Sequence, residues 1–296
     1  MLIAKFTNQI KNSDRELYDK LVQKYIVDTP VQMTMEPYST LKLLYSQGDL
    51  IGEGKFGSVR QGIGHCGQVA IKTVKISSVH KSHYWRQDDS GQVIPKEVYF
   101  LQKVQYIPGV LKLRDFSITD NEYVIVTEKP AICCDLMCLD RLCESKARKY
   151  LQQVVETVAK CSLAGVLHLD IKSNNIILDL VADEVKLIDF GCSREFTHDK
   201  LRVSNGPKMW SPPERLEKKS FNGDKLQVWT IGVLLFEMIT GELPFKTEED
   251  ICSGALEIPQ YLTKSCQDLI KLCLNPDYRL RPTYDEILYH DWCNQE

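Results

Sequence analysis

Apolar positions along the chain follow one periodicity in the first half and another in the second. Residues 69–76 alternate and are rich in β-branched side chains, and residues 123–127 form a short, nearly all-apolar run. Both patterns are typical of strands. Residues 95–104 instead carry apolar side chains at helical spacing behind a proline, which suits the first turn of a helix. The first half is therefore predicted to be a small β-sheet with one prominent helix.

After Pro130 the spacing of apolar residues becomes helical. Four helices are predicted, over residues 145–164, 228–240, 265–274 and 284–290. Gly241 is expected to end the second of these helices. The sequence thus predicts an α+β chain, in which a small β-rich part joins a larger α-rich part near residues 128–130.

Residues 1 to about 40 are polar and mixed in charge, and only residues 14–25 show apolar positions at a spacing of four. This pattern suits a short helix or a mobile extension. We expect an N-terminal extension over residues 1–42 and a folded domain over residues 43–293. The domain is expected to divide into residues 43–128 and 131–293.

Charge and composition exclude several classes of protein. The 296 residues include 37 Lys and Arg against 40 Asp and Glu, a net charge of -3, whereas a dedicated nucleic-acid binder needs a basic surface. The longest apolar run, residues 231–236, is far shorter than the ~20 residues of a spanning helix, and no secretory signal is visible. We therefore expect neither nucleic acid nor membrane as a partner.

The 11 cysteines include no C-x-x-C pair, and the six histidines are scattered. This spacing favours reduced cysteines in a cytoplasmic or nuclear protein over a disulfide framework, and it does not suggest a structural zinc site.

Glycines at positions 52, 54 and 57 form a G-x-G-x-x-G motif. Glycine allows backbone amides to approach a phosphate closely, although the motif alone is weak because surface turns often match it. A dinucleotide-binding fingerprint would be followed by a helix, whereas the next clear element here is the strand around residues 69–72. The order favours a glycine-rich flap between two strands.

Lys72 lies on that strand, fifteen residues after Gly57. A lone lysine is usually a solvated surface charge. Beneath the flap, however, it could pair with nucleotide phosphates if a carboxylate held it in place. Glu97, on the following helix, is the candidate for that carboxylate.

The strongest signal is a pair of polar motifs at residues 168–178 and 186–191. Asp170 could accept a hydroxyl proton, and Lys172 could neutralise a transferring phosphoryl group. Asn175 and Asp189 offer oxygen ligands of the kind that magnesium prefers. Two ordinary polar loops around a strand would reproduce these residue types and spacings only by accident.

In this order of motifs, residues 45–293 resemble the protein kinase family. The resemblance implies a bilobal fold that holds MgATP between a β-rich N-lobe and an α-helical C-lobe, with ATP and Mg²⁺ as the required ligands. It makes Asp170 the catalytic base, with Lys172 and Lys72 also catalytic, and Asn175 and Asp189 the metal ligands. It also implies nucleotide contacts at Ile51, Gly52, Gly54, Gly57, Val59, Ala70, Lys72, Glu97 and Glu128. A pair between Glu214 and Arg281 is expected to support the substrate platform.

The lysine at position 172 is typical of the serine/threonine branch of the family, so the chain resembles that branch. Local features at residues 85–97, 128–130, 210–214 and 227–235 resemble the Pim kinases. Residues 128–130 match the hinge of the family, whose backbone N–H groups normally donate to adenine-like ligands. The hinge ends here in Pro130, which has no N–H to donate. Gln227 stands where other kinases usually carry aspartate.

Other residues depart from the family pattern. Leu169 replaces an arginine that usually binds a phosphate on the activation loop, so activity is expected not to require phosphorylation of that loop. Pro207 replaces a threonine that usually links the catalytic aspartate and lysine. Ser173 and Asn174 replace an acidic pair of the Pim kinases, which leaves basic substrates as a weaker expectation.

We therefore predict a monomeric serine/threonine protein kinase of the cytoplasm or nucleus. Its expected partners are protein substrates with Ser or Thr acceptors, and a basic sequence context around the acceptor is a further expectation. Leu169 and Pro207 keep a pseudokinase open as the alternative, since such a protein binds nucleotide or partners with little turnover. A small-molecule kinase is disfavoured by residues 211–214 and 281, which suit a peptide-binding platform.

Overall fold

The computed structural model describes residues 38–54, 57–65, 67–78, 85–88, 90–202, 208–218 and 220–295. These residues form two compact units. Residues 38–134 and 177–193 make up the N-terminal unit, and residues 135–176 and 194–295 make up the C-terminal unit. The expected helix within residues 14–25 lies outside the described residues, and the predicted domain bounds stay a prediction.

The core of the N-terminal unit is the predicted small β-sheet, which has five antiparallel strands. Its strands are β1 (Ser46–Gly54), β2 (Gly57–Gly64), β3 (Gly67–Lys75), β6 (Leu113–Ile118) and β7 (Glu122–Glu128), in the order β1-β2-β3-β7-β6. The hairpin between β4 (Trp85–Gln87) and β5 (Val93–Pro95) leads directly into helix α2 (Lys96–Val104). A sheet of β11 (Glu184–Leu187), β10 (Ile176–Asp179) and β8 (Cys133–Asp135) also belongs almost entirely to this unit.

Helix α2 begins directly after Pro95 and buries the apolar face that its sequence predicts, since Val98, Leu101 and Val104 are all buried. A second helix of this unit, α1 (Tyr38–Leu44), is not predicted by the sequence pattern, which already looks strand-like at Leu43. Its buried Leu41 packs against the apolar residues of β3 and β7. The helix therefore belongs to the core of the sheet.

The C-terminal unit is mainly helical, as predicted. Its helices are α3 (Glu144–Leu163), α4 (Pro213–Lys218), α5 (Gly223–Thr240), α6 (Glu248–Ser253), α7 (Lys264–Cys273) and α8 (Tyr284–Leu288). Helix α5 is buried on almost every side, and Gly241 ends it with the left-handed backbone that glycine tolerates best. Helix α5 packs against both α3 and α7, so it is the centre of this unit.

Two short antiparallel ladders complete the C-terminal unit. Strand β9 (Val166–Leu167) pairs with β12 (Arg194–Glu195), and β13 (Leu201–Arg202) pairs with β14 (Ser220–Phe221). Among the described helices, none has the length and apolar character that crossing a membrane requires.

Candidate active site

The glycine-rich segment connects β1 to β2, as the absence of a following helix predicts. Gly52 faces Val59 and Gly54 faces Gly57 across the hairpin. A Cβ atom on Gly57 would collide with the carbonyl of Thr73 in the next strand. Close packing of the backbone therefore requires glycine at this position, whatever ligand the hairpin binds.

Lys72 lies in the middle of β3 and forms the predicted pair with Glu97 of α2. Its Nζ donates to both carboxylate oxygens of Glu97 at 2.8 Å and to Oδ1 of Asp189 at 3.1 Å. Three charged side chains from distant parts of the sequence thus meet within the N-terminal unit. The pairing of Lys72 with Glu97 is confirmed, and the contact with Asp189 is an addition.

Burial and charge act against each other at this cluster. Burial by itself lowers the pKa of the Lys72 ammonium, but the charges of Glu97 and Asp189 outweigh it and raise that pKa above its ordinary value. Lys72 is therefore a permanent cation at neutral pH. Its side chain remains 27% exposed and that of Asp189 40% exposed, so both can still meet a ligand.

The other residues expected to contact a nucleotide lie on the same sheet. Ile51, Gly52 and Gly54 are on β1, Gly57 and Val59 on β2, Ala70 and Lys72 on β3, and Glu128 at the end of β7. Val59 and Lys72 are direct neighbours in the register of β2 and β3.

Glu128 differs from the other members of that set, because its polar groups are engaged within the sheet. Its carboxylate accepts from the backbone N–H of Lys112 at 3.2 Å and from Arg114 at 3.3 Å, and its own N–H donates to the carbonyl of Lys112. The next hinge N–H, that of Lys129, donates to the carbonyl of Gln68 at 3.1 Å. The hinge N–H groups are thus occupied up to Pro130, which has none.

In the C-terminal unit, Asp170 follows β9 and is the centre of the second polar cluster. Its Oδ2 accepts from Nζ of Lys172 at 2.7 Å and from Nδ2 of Asn175 at 2.7 Å. These two donors balance the negative charge of a side chain that is almost fully buried. The Asp170 side chain thus lies between an ammonium donor and an amide donor.

Leu169 is buried in an apolar cluster, where the family resemblance leads one to expect an arginine. The cluster consists of Leu167, Leu169, Phe221 and Leu226, with Phe196 and Leu201 packed against it. The cluster joins the segment before Asp170 to the segment around β12 and β13, to β14 and to the start of helix α5. Leu169 also has a left-handed backbone, with φ of 63°, which is unfavourable for a residue other than glycine.

The predicted pair between Glu214 and Arg281 is present and deeply buried. Both Nη atoms of Arg281 donate to the two carboxylate oxygens of Glu214 at 2.8 Å. The guanidinium also lies over the ring of Trp229, 4.8 Å from its centroid. Pro207, which replaces the threonine that usually links the catalytic aspartate and lysine in the family, lies outside the described residues.

Gln227 is a residue whose role sequence reasoning missed, although its departure from the family pattern marked it. It is fully buried in α5, and its Oε1 accepts from the backbone N–H of His168 at 2.7 Å. The side chain thus contacts the segment that carries Asp170.

The donors available for magnesium are an amide and a carboxylate. Both hydrogen bonds that the Asn175 side chain forms within the described residues use its amide nitrogen, so its amide oxygen remains for a ligand. Asp189 has a partly exposed carboxylate. Oxygen atoms of either kind are ligands that magnesium prefers. The described residues contain no cluster of three or more His, Cys, Asp and Glu side chains placed to bind a metal.

Comparison with known proteins agrees with this arrangement. The protein kinase domain family model matches residues 45–293. Serine/threonine-protein kinase pim-2 of Danio rerio is 33% identical over 262 residues, which cover 84% of each chain. Serine/threonine-protein kinase prk-2 of Caenorhabditis elegans is 32% identical over 269 residues, 88% of this chain and 60% of the relative.

The probable serine/threonine-protein kinase MARK-A of Dictyostelium discoideum is 30% identical over 252 residues, 82% of this chain but 23% of the relative. The chain thus spans less than two thirds of the worm and Dictyostelium proteins. The chain belongs to the protein kinase family, within which its relatives place it among the serine/threonine protein kinases.

Proposed function

We propose that this protein is an active serine/threonine kinase that transfers the γ-phosphate of MgATP to protein hydroxyl groups, with a specificity related to that of the Pim kinases. The single observation that carries the proposal is that both polar clusters are assembled: Lys72 with Glu97 and Asp189, and Asp170 with Lys172 and Asn175. A pseudokinase would have no need to maintain both.

In the proposed reaction Asp170 accepts the proton of the substrate hydroxyl while the hydroxyl oxygen attacks the γ-phosphorus of ATP. The bond between the γ-phosphorus and the bridging oxygen breaks, and ADP leaves with that oxygen. Lys172, already 2.7 Å from Asp170, is suited to neutralise the transferring phosphoryl group. Hydrogen bonds with Lys172 and Asn175 fix the direction of the Asp170 carboxylate. Positioning and charge stabilisation supply most of the rate enhancement.

Lys72 is proposed to bind phosphate oxygens of ATP, with Glu97 fixing the direction of its side chain. The glycine-rich hairpin supplies backbone amides to the same phosphates. Asn175 and Asp189 would hold magnesium, and the bound ion would neutralise charge on the phosphate oxygens.

The proposed kinase is active without phosphorylation of its activation loop. Support comes from the apolar cluster around Leu169, which includes Phe196, directly after β12, and Leu201 of β13. Apolar packing of this kind orders a segment without any phosphate. The activation-loop residues considered as phosphate acceptors are Ser193, Thr197 and Ser204. Ser193 is buried, Thr197 accepts a hydrogen bond from the N–H of Asp199, and Ser204 lies outside the described residues.

The proposed substrates carry Ser or Thr acceptors in a moderately basic context. Asp135 matches an acidic position of the Pim kinases just past the hinge, which supports this preference. Cys138 replaces a second acidic position, and Ser173 and Asn174 replace the acidic pair, which weakens it. We further propose a monomer located in the cytoplasm or nucleus. The scattered cysteines, which include no C-x-x-C pair, support this location.

Phosphorylation of a peptide array with labelled ATP tests both turnover and sequence preference. Asp170→Asn should lower kcat about a hundredfold or more, because the amide cannot accept the proton. Asp291→Asn, an exposed aspartate, is the matched control. Near-normal turnover by Asp170→Asn would refute the assignment, and an inactive wild-type protein that still binds ATP would favour the pseudokinase.

Treatment with a phosphatase tests the independence from loop phosphorylation. The dephosphorylated protein, verified by mass spectrometry, should retain its kcat. A complete loss of activity that returns on phosphorylation of Thr197 would contradict the proposal.

A further inference from the structure

Gln227 connects the backbone before Asp170 to a buried polar network. Its Oε1 accepts from the N–H of His168 at 2.7 Å and, more weakly, from that of Leu169 at 3.4 Å. Its Nε2 donates to Oη of Tyr284 at 2.7 Å and to Oγ of Ser162 at 3.3 Å. Every hydrogen-bonding group of this amide therefore has a partner.

The network has a fixed direction because each hydroxyl has a single proton. Tyr284 and Ser162 accept from the amide of Gln227, so each must donate its own proton elsewhere. Both donate to Oδ1 of Asp224, Tyr284 at 2.9 Å and Ser162 at 3.3 Å. The chain of donors thus ends on the carboxylate of Asp224, which is the acceptor that sets the orientation of every group before it.

The orientation of the Gln227 amide matters because of the backbone that it holds. If the amide of Gln227 were reversed, its Nε2 donor would face the N–H groups of His168 and Leu169. These groups are donors as well, so no hydrogen bond could form. Leu169 has an unfavourable left-handed backbone, and its N–H and that of His168 are the two groups that the Gln227 oxygen anchors. Asp170 is the next residue, so an error in this backbone displaces its carboxylate.

We propose that Tyr284 and Asp224 are positioning residues for Asp170, which act by orienting the amide of Gln227. Helix α5 of this chain thus carries both the neutral amide of Gln227 and, three residues earlier, the carboxylate of Asp224. The inference rests on the proposed function, because its consequence for rate requires that Asp170 is the base. Its consequence for the order of the backbone at His168 and Leu169 does not depend on the role of Asp170.

Removal of one hydroxyl is the first test. Tyr284→Phe removes the strongest acceptor of the Gln227 amide and should lower kcat about tenfold while leaving KM for ATP unchanged. Tyr261→Phe, a largely exposed tyrosine of the same unit, is the matched control and should have normal kinetics. Thermal melting of both variants corrects for any loss of folded protein.

A reciprocal exchange is the sharper test. Gln227→Glu places a second carboxylate beside Asp224 and removes the donor to Tyr284, so kcat should fall more than about tenfold. Asp224→Asn should have a milder effect, because the introduced amide oxygen can still accept. The double variant combines Gln227→Glu with Asp224→Asn. Its introduced amide at position 224 donates to Tyr284, which then donates to the introduced carboxylate at position 227. The network is rebuilt in the opposite direction, and kcat should return to within about threefold of Asp224→Asn.

Amide hydrogen exchange at His168 and Leu169 provides a readout that needs no turnover. Exchange at these two amides should accelerate about tenfold in Tyr284→Phe and Gln227→Glu and slow again in the double variant. If the double variant has lower kcat and faster exchange than Gln227→Glu, or if Tyr284→Phe changes neither quantity, the inference is wrong. An inactive wild-type protein would refute the proposed function alone, since the exchange rates still decide the inference.

Discussion

Replacement of Arg281 should destabilise the C-terminal unit far more than replacement of Arg279 in the same short motif. The Arg281 side chain is fully buried and the Glu214 side chain is 7% exposed. Arg279 is largely exposed and pairs with Asp277. The two arginines therefore test whether burial, rather than residue type, determines the contribution of an ion pair.

The magnitude follows from what each substitution leaves behind. Arg281→Met removes both hydrogen bonds to Glu214 and three more to the carbonyls of Asn275, Lys225 and Pro276. A buried carboxylate then lacks its counter-charge, which costs about 3–5 kcal/mol in comparable cases. Arg279→Met breaks a solvent-exposed pair and should have no measurable effect.

Urea unfolding followed by tryptophan fluorescence measures the difference, since the ring of Trp229 lies 4.8 Å from the Arg281 guanidinium carbon. A second variant, Arg281→Met with Glu214→Leu, removes the stranded charge and should recover part of the loss. Equal stability of Arg281→Met and Arg279→Met would refute the reasoning. So would a double variant less stable than Arg281→Met.

Lys72→Met should abolish measurable phosphoryl transfer and lower thermal stability, because it leaves the buried Glu97 without its counter-charge; normal turnover in a labelled-ATP assay would contradict this. Glu144→Gln should lower the free energy of unfolding at neutral pH by about 1 kcal/mol, because the Glu144 carboxylate accepts from Thr263 and Trp292. Burial raises the pKa of Glu144, but these hydrogen bonds outweigh it and lower that pKa below its ordinary 4.5. The difference in the free energy of unfolding between the wild type and Glu144→Gln should thus be complete above pH 4.5 and vanish as the pH falls through the lowered pKa of Glu144. Melting curves at several pH values can measure this difference. Pro130→Ala should restore a hinge N–H and strengthen ligands that need two hinge hydrogen bonds by up to about tenfold in Kd; unchanged affinity in a competition assay would count against the missing donor.

Local pattern was sufficient for most elements of this protein. The helices around residues 96–104, 144–163 and 223–240 begin and end within a few residues of their predicted bounds. The glycine-rich hairpin and the pair between Lys72 and Glu97 were also predictable. Each of these features depends on periodicity, on the backbone freedom of glycine or on a motif with fixed spacing, and all three are visible in a short stretch of sequence.

Other features were decided by contacts between residues far apart in the chain. Helix α1 was missed because seven residues carry too little periodicity, and its place follows from burial of Leu41 against the sheet. The strand order β1-β2-β3-β7-β6 likewise depends on pairings that no single segment encodes.

The residues that depart from the family pattern show the same division. From the sequence, Leu169 and Gln227 could be identified as departures from the family pattern. The sequence showed only that Leu169 replaces an arginine and Gln227 an aspartate. Tertiary structure placed Leu169 in an apolar cluster and gave Gln227 a buried acceptor, Tyr284, 57 residues away. A side chain's identity determines which bonds and contacts it can form, but only the folded chain determines which partners are within reach, because burial and hydrogen bonding depend on distance in space.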